Sequence, residues 1–313
     1  MTNKLFYGIK RFVNEISGKE DYWHPNFKAN TEDDFIKDER IERYYLDFTQ
    51  KAFYEGELEN SVPLIELGGK KTIFPITVFN YGIGLVDLYY SNMPEKDNKI
   101  IKEKISRIME WAVNKQTENG AWINNYSDTL YNLKEGWTSG MGQGLGISFL
   151  IRCCGLDLIS KEEVIKYINK AIDFMVNENV SQYNNEIPVI EEFAGTNSFV
   201  LNGFVFALFG LYDYKIFTGD ERYFSVYEKS LQLMLEKYDF LLWTKYDLKG
   251  TISSCFYHNL HIEMMKVMNH ITGDAFYEKF SKRWKIGLRF KLLFVLIKSF
   301  QKVFRLNHYV TIK

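Results

Sequence analysis

The chain has 313 residues, 46% of them hydrophobic and 25% charged, which excludes a disordered, collagen-like or coiled-coil protein. Its formal net charge of −1 argues against a nucleic-acid partner. Aromatics reach 17% while prolines number 5, a balance suited to long packed helices or to a groove that stacks sugar rings. In chain order, residues 1–40 are polar, aromatic and without a clear period. Met1 to Gly18 has no signal-peptide core, so the expected location is the cytoplasm. Two β-like runs follow, Arg43–Phe48 and Ser61–Leu67. Gly68-Gly69 then reads as a hairpin turn before Lys71–Phe74.

Helical signals begin at Ile76, and apolar and amphipathic helices alternate from there. Thr138–Ile151 is uncharged with four glycines, and Lys161–Asn179 is charged with one apolar stripe. Ser198–Tyr212 is uncharged, Glu221–Tyr238 is striped, Tyr257–Ile271 is nearly uncharged and Asp274–Lys285 is charged. Ala194–Tyr212 is long enough to raise a membrane span. Its polar residues and glycines instead point to a buried helix. Phe217-Thr218-Gly219-Asp220 recurs as Ile271-Thr272-Gly273-Asp274, in each case with Gly ending a helix and Asp capping the next. The pattern predicts a mainly α fold, an (α/α) toroid or incomplete barrel of helical hairpins preceded by a small antiparallel β region. The expected division is residues 1–80 as an extension with β-hairpins, 81–285 as the helical barrel, and 286–313 as a basic amphipathic segment.

Four constellations could carry chemistry. Asn119-Gly120-Ala121-Trp122 is either a helix-end turn with a core Trp or a sugar platform. Trp137–Gly144 lacks the Lys-Ser/Thr ending of a phosphate loop, so close packing with Trp137 and Gln143 at a cleft is the better reading. Glu191-Glu192 stands before the long apolar helix. One reading is neutralisation of the helix N-terminus and the other is a general base at its mouth. Lys245–Lys249 and Cys255–His261 form the densest polar cluster. His258 and His261 share a helical face, but no standard metal motif forms, and hydrogen bonds from these His to Tyr hydroxyls are expected. Cys255 is a packed thiol, and with Cys153 and Cys154 the odd count gives no disulfide framework.

Taken in order, Asn119–Trp122, Gln143-Gly144, Glu191-Glu192, Ser198–Phe204, Gly210–Asp213, Tyr246–Leu248, Phe256–Ile262 and Phe280–Lys285 resemble the C-terminal domain of D-glucuronyl C5-epimerases, over roughly residues 40 to 285. Those enzymes convert glucuronate to iduronate within heparin/heparan-type chains. The resemblance implies an α/α barrel after β structure and a dimer, and no cofactor or metal ligand is assigned. It implies Glu192 as base, Tyr257 as the opposing tyrosine and Tyr246 as an assisting one. Lys249 falls where the family tends to have Arg, and Phe193 where it commonly has Tyr. Substrate contacts are expected from Lys249, His258, His261, Asn202, Trp122, Trp137, Gln143, Glu191 and Phe193. A cation such as Lys249 should lower a cleft tyrosine, and an apolar helix mouth should raise Glu192. The implied partner is a uronate-containing polysaccharide or its lipid-linked precursor. A lyase or hydrolase on the same toroid, and a non-catalytic glycan-binding protein, are the rival readings.

The charge is unevenly spread. Seven of the 39 basic residues and none of the 40 acidic ones lie between Lys285 and Lys313. Leu288–Lys298 has the makings of a basic amphipathic helix. It is either an ordinary outer helix or a docking element for an anionic membrane surface through residues 286–306.

Overall fold

The computed structural model describes residues 21–31, 41–67, 70–91 and 93–304, the side chains as far as 301. Among these residues the protein is mainly helical with small antiparallel sheets. One unit repeats four times: a β-hairpin, an apolar helix, then an amphipathic helix. The first has β1 (Leu58–Glu59), β2 (Val62–Leu67), β3 (Lys70–Ile73), α1 (Pro75–Tyr89) and α2 (Glu95–Lys115). The second has β4 (Ile123–Asn124), β5 (Trp137–Thr138), α3 (Gly140–Gly155) and α4 (Lys161–Glu178). The third has β6 (Val180–Tyr183), β7 (Ile187–Ile190), α5 (Leu201–Thr218) and α6 (Arg222–Met234). The fourth has β8 (Asp239–Phe240), β9 (Trp243–Thr244), α7 (Cys255–Thr272) and α8 (Ala275–Gly287). A 3₁₀ turn at Leu288–Phe290 leads on to α9 (Lys291–Phe304).

Composition sorts the helices. α1, α3 and α5 are apolar nearly all round and bury almost every position. With α7 they form an inner row, α1 against α3, α3 against α5, α5 against α7. The second helix of each unit backs the first and buries one stripe, such as Val164, Ile168, Ile172 and Met175 of α4. The α3–α5 crossing depends on glycine. A Cβ on Gly144 would lie 2.6 Å from Ala207 Cα, and one on Gly210 would lie 2.5 Å from Gly144 O. Caps fix the ends: Ser160 and Glu163 form a capping box before α4, and Ser254 accepts the Tyr257 N–H at the start of α7. Gly219 and Gly273 end α5 and α7 in the left-handed region, at φ 82° and 69°. Asp274 caps α8 as its sequence predicts. Asp220 bonds the Arg222 N–H at 3.1 Å from one residue before the N-cap, which is Glu221.

The N-terminal segment lies across the inner row. Backbone N–H groups of Tyr44 and Phe48 donate to Asp87 of α1, both at 2.7 Å. The Tyr45 hydroxyl donates to Asp213 of α5 at 2.6 Å, and Ala29 N donates to Glu263 of α7 at 3.0 Å. This corrects the β reading of Arg43–Phe48. That run makes one isolated bridge, Leu46 to Ala29, before a 3₁₀ turn at Thr49–Ala52. The donors that a neighbouring strand would take are captured by the Asp87 carboxylate. Ser61–Leu67 is a strand as its pattern suggests, while the Gly68-Gly69 turn lies outside the described residues. The boundary expected at 80/81 falls inside α1, and Phe27, Tyr44, Leu46 and Phe48 share one core with the helices. No described helix is long and apolar enough to cross a membrane.

Candidate active site

Each inner helix starts just after a hairpin, so the loops after β3, β5, β7 and β9 gather at one end of the row. The Phe74 ring, at the start of α1, lies 6.4 Å from Trp137, just before α3. Gly140 N, in the first turn of α3, donates to Glu191 O at 2.9 Å. Leu201 N, in the first turn of α5, donates to Tyr246 O at 3.0 Å. The Tyr246 ring lies 4.7 Å from that of Tyr257, in the first turn of α7. Four helix N-termini therefore point toward one region, where their partial positive charge favours an anion.

The two adjacent glutamates have different fates. Glu191 is fully satisfied: it accepts Ser198 N at 2.9 Å and the Ser181 hydroxyl at 2.6 Å. Its task is to hold the loop that leads into α5, which removes it from the substrate-contact set. Glu192 is buried on the first turn of α5, against Gly203, where a Cβ would lie 2.6 Å from its Oε2. That oxygen is buried with no hydrogen-bond partner. Burial, reinforced by Asp128, pushes the Glu192 carboxyl up from 4.5 to about 8. The upward shift expected of an apolar helix mouth is present.

The tyrosine half goes the other way. Tyr246 is held well above its ordinary value by burial first, then by Glu192, Tyr257, Tyr131 and Asp247. At Tyr246 the lowering expected from a cation such as Lys249 is not seen: burial and acidic neighbours raise this phenol instead. Lys249 itself is exposed, in a turn closed by Asp247, which accepts both the N–H and the hydroxyl of Thr251. Leu248 N donates to Ser198 O at 3.0 Å, so this turn and the Glu191–Val200 loop are fastened together.

Several candidates are buried too deeply to meet a sugar. Trp122 lies in the core, its indole N–H donating to Ala112 O at 2.8 Å, and its ring closes on Phe79. Gln143 is spent on the Trp122 backbone, accepting its N–H and donating to its carbonyl. His258 and His261 are both fully buried, and their hydrogen bonds run to Thr244 and Trp284 rather than to tyrosine hydroxyls. The Trp284 carbonyl needs a donor, so His258 carries its proton on Nε2 and accepts from the Thr244 hydroxyl. His261 must then donate to that oxygen from Nδ1. Burial pushes His258 down to about 3 and His261 well below its usual range, so both are neutral. Among the described residues no cluster of three His, Cys, Asp or Glu could hold a metal ion.

Asn202 keeps its place beside Gly203, with its side-chain oxygen buried and unpartnered. Trp137 lines a cavity of about 400 Å³ with Asn119, Thr138, Phe174, Glu178 and Ala194. Phe193 lies 5.6 Å from Trp137 and stacks on Tyr131 at 3.8 Å. Tyr131 was not anticipated from the sequence, nor were Tyr126 and Asp128. All three lie between β4 and β5, and Glu192 raises both phenols after burial does. The available signal was the aromatic spacing of Tyr126, Tyr131 and Trp137, but nothing local showed that the loop folds back onto Phe193.

Residues 115–286 match the family described as D-glucuronyl C5-epimerase C-terminus. A D-glucuronyl C5-epimerase of Caenorhabditis elegans is 31% identical over 207 residues, covering 56% of this chain and 33% of that protein. An uncharacterised protein of Methanocaldococcus jannaschii is 28% identical over 181 residues, covering 52% of this chain and 56% of that protein. The chain thus spans about a third of the first relative and just over half of the second. The family match begins at 115 rather than near 40, leaving α1 and nearly all of α2 outside it. It takes in the Glu192 loop, the Tyr246 turn and the Tyr257 helix, and it covers more than half of the chain, which therefore belongs to the D-glucuronyl C5-epimerase C-terminal family.

Proposed function

We propose that the protein is a uronic-acid C5-epimerase acting on a glycan, of the glucuronate-to-iduronate type, with a heparosan-like polysaccharide or its lipid-linked precursor as substrate. One observation carries the reading. A buried carboxyl with an unpartnered oxygen, raised to about 8, faces the region where four helix N-termini and two tyrosines meet. The inner and outer rows, with the N-terminal segment across them, support an incomplete (α/α) toroid whose cleft is this end.

In this reading the uronate carboxylate sits at the helix N-termini, with Lys249 and Asn202 at its rim. Ionised Glu192 takes the proton from C5, and the C–H electron pair moves into the C5–C6 bond. The charge that builds on the carboxylate oxygens is stabilised by the partial positive charge of the helix N-termini. Tyr257 returns a proton to C5 from the other face. Tyr246 assists by donating to the tyrosinate so formed, and solvent restores the starting protonation. A phenol kept neutral by its surroundings suits a donor, and a carboxyl near 8 suits a base. No step needs a cofactor. Trp137 and Phe193 offer apolar surface to neighbouring sugars.

The test is solvent exchange. In deuterium oxide, deuterium should enter at C5 of a glucuronate polymer, with iduronate accumulating. No incorporation across a panel of uronate polymers overturns the reading. An unsaturated product absorbing in the ultraviolet would identify a lyase instead.

A further inference from the structure

The helix that follows the family-matched region is laid on the protein with its apolar side outward. α9 buries Phe294 and Val295 in a small second core with Trp243, Ile252 and Cys255, the Phe294 and Trp243 rings stacked at 4.8 Å. Gln301 ties it down, accepting from Ile252 N at 2.9 Å and donating to Gly250 O at 2.6 Å. Its opposite side leaves Leu292, Leu293 and Leu296 at 59, 53 and 55% exposed, and the preceding turn adds Phe290 at 49% and Ile286 at 46%. Large aliphatic and aromatic side chains grouped in this way on a surface mark an interaction site.

Charge selects the occupant. Lys285 and Arg289 are exposed immediately beside Ile286 and Phe290, and no acidic residue occurs from Lys285 to the last residue of the sequence. The neighbouring Lys282 pairs with Glu278 of α8 at 2.8 Å, and Arg283 pairs with Asp239. A second copy of the chain would bring the same basic residues together, whereas anionic headgroups supply the opposite sign. We infer that this surface docks on an anionic lipid bilayer, with the leucines at the acyl boundary and Lys285 and Arg289 among the headgroups. The inference is independent of the chemistry proposed above. It adds a consequence to it: Gln301 fixes the docked helix to the turn beside Tyr246, so the cleft keeps a set orientation to the lipid surface.

Sedimentation of the full chain with vesicles tests this. Vesicles of mixed phosphatidylcholine and phosphatidylglycerol should pellet the protein, and pure phosphatidylcholine or high salt should weaken partitioning about tenfold or more. Leu293→Ser with Leu296→Ser, and separately Lys285→Glu with Arg289→Glu, should each weaken it about tenfold at an unchanged melting temperature. Those positions are exposed, so folding is not at stake. Equal partitioning of all three proteins, or failure of the unaltered chain to bind anionic vesicles, overturns the inference. So does a concentration-dependent dimer that the leucine variant dissolves and that anionic vesicles do not compete away.

Discussion

Both ends of the inner helical row contain buried carboxylates, and they are treated in opposite ways. At the end where α3 and α5 finish, Asp213 pairs with Arg152 at 2.6 Å and accepts the Tyr45 hydroxyl, while Asp87 takes two backbone N–H groups. Arg152 also donates to the carbonyls of Ser148 and Arg43. Both oxygens of each carboxylate there have a partner, although Arg152 Nε has none and burial still pushes Asp87 up from 3.8 to about 7. At the end where the same helices begin, Glu192 is also buried, at 8% exposure against 0% for Asp87 and Asp213, but has an oxygen with no partner. Burial raises the proton affinity of Glu192 as it does that of Asp87, but no backbone N–H opposes the rise at the open Glu192 oxygen. One end pairs its carboxylates within the fold, and the other leaves a carboxyl oxygen without a partner.

This contrast can be broken by substitution. Glu192→Gln should lower C5 exchange by roughly 10²–10⁴-fold, the usual share of a general base, as read by deuterium incorporation. The same variant should be more stable than the parent at pH 8. The Glu192 pKa is raised on folding, so its contribution to stability is complete below about 4.5 and is lost as pH rises through about 8. The gain at pH 8 should reach a few kcal/mol, at about 1.4 kcal/mol per pKa unit, and vanish near pH 4. Equal melting temperatures at both pH values would show that Glu192 is not held protonated.

Asp213→Ala should do the reverse. It leaves Arg152 buried without its counter-charge and should cost about 3–5 kcal/mol of stability, measured by denaturant unfolding. Exchange per folded molecule should stay near the parent rate. Gly203→Ala probes the seat of the base: a methyl group there collides with the Glu192 side chain, and exchange should fall about tenfold. Loss of stability without loss of rate would mean that the carboxylate does not act from this position. The smallest effect belongs to Phe193→Tyr. The ring already stacks on Tyr131, so adding the hydroxyl that the family resemblance implies at this position should change the Michaelis constant by about threefold or less. A rate increase of tenfold would instead show that the hydroxyl takes part in the reaction.

Much of the helical architecture was legible because apolar helices advertise themselves. The uncharged runs Thr138–Ile151 and Ser198–Tyr212 lie within about six residues of α3 and α5, and Gly219 and Gly273 mark the ends of α5 and α7. The hairpins between helices were hidden, since strands of two residues have no period to read. A signal was nevertheless present at Asn184-Asn185, which take positive φ of 53° and 61° in the turn between β6 and β7. At the site, Glu192, Tyr246 and Tyr257 come together as their motifs suggested. Trp122, Gln143 and His258 looked equally polar or aromatic in sequence but are consumed by internal hydrogen bonds, and His261 is fully buried with Nδ1 on Thr244 and Nε2 unpartnered. Sequence shows which residues can bond, whereas only the fold decides whether a partner inside the protein reaches them first.

The segment that spans the inner row also bears on how the chain folds. Each hairpin–helix–helix unit is closed largely by neighbours in sequence, so units can form as they emerge from the ribosome. The bonds of the N-terminal segment reach much further, 168 residues from Tyr45 to Asp213 and 234 from Ala29 to Glu263. This segment is made before the helices it spans, yet it can finish docking only after α7 exists to receive it.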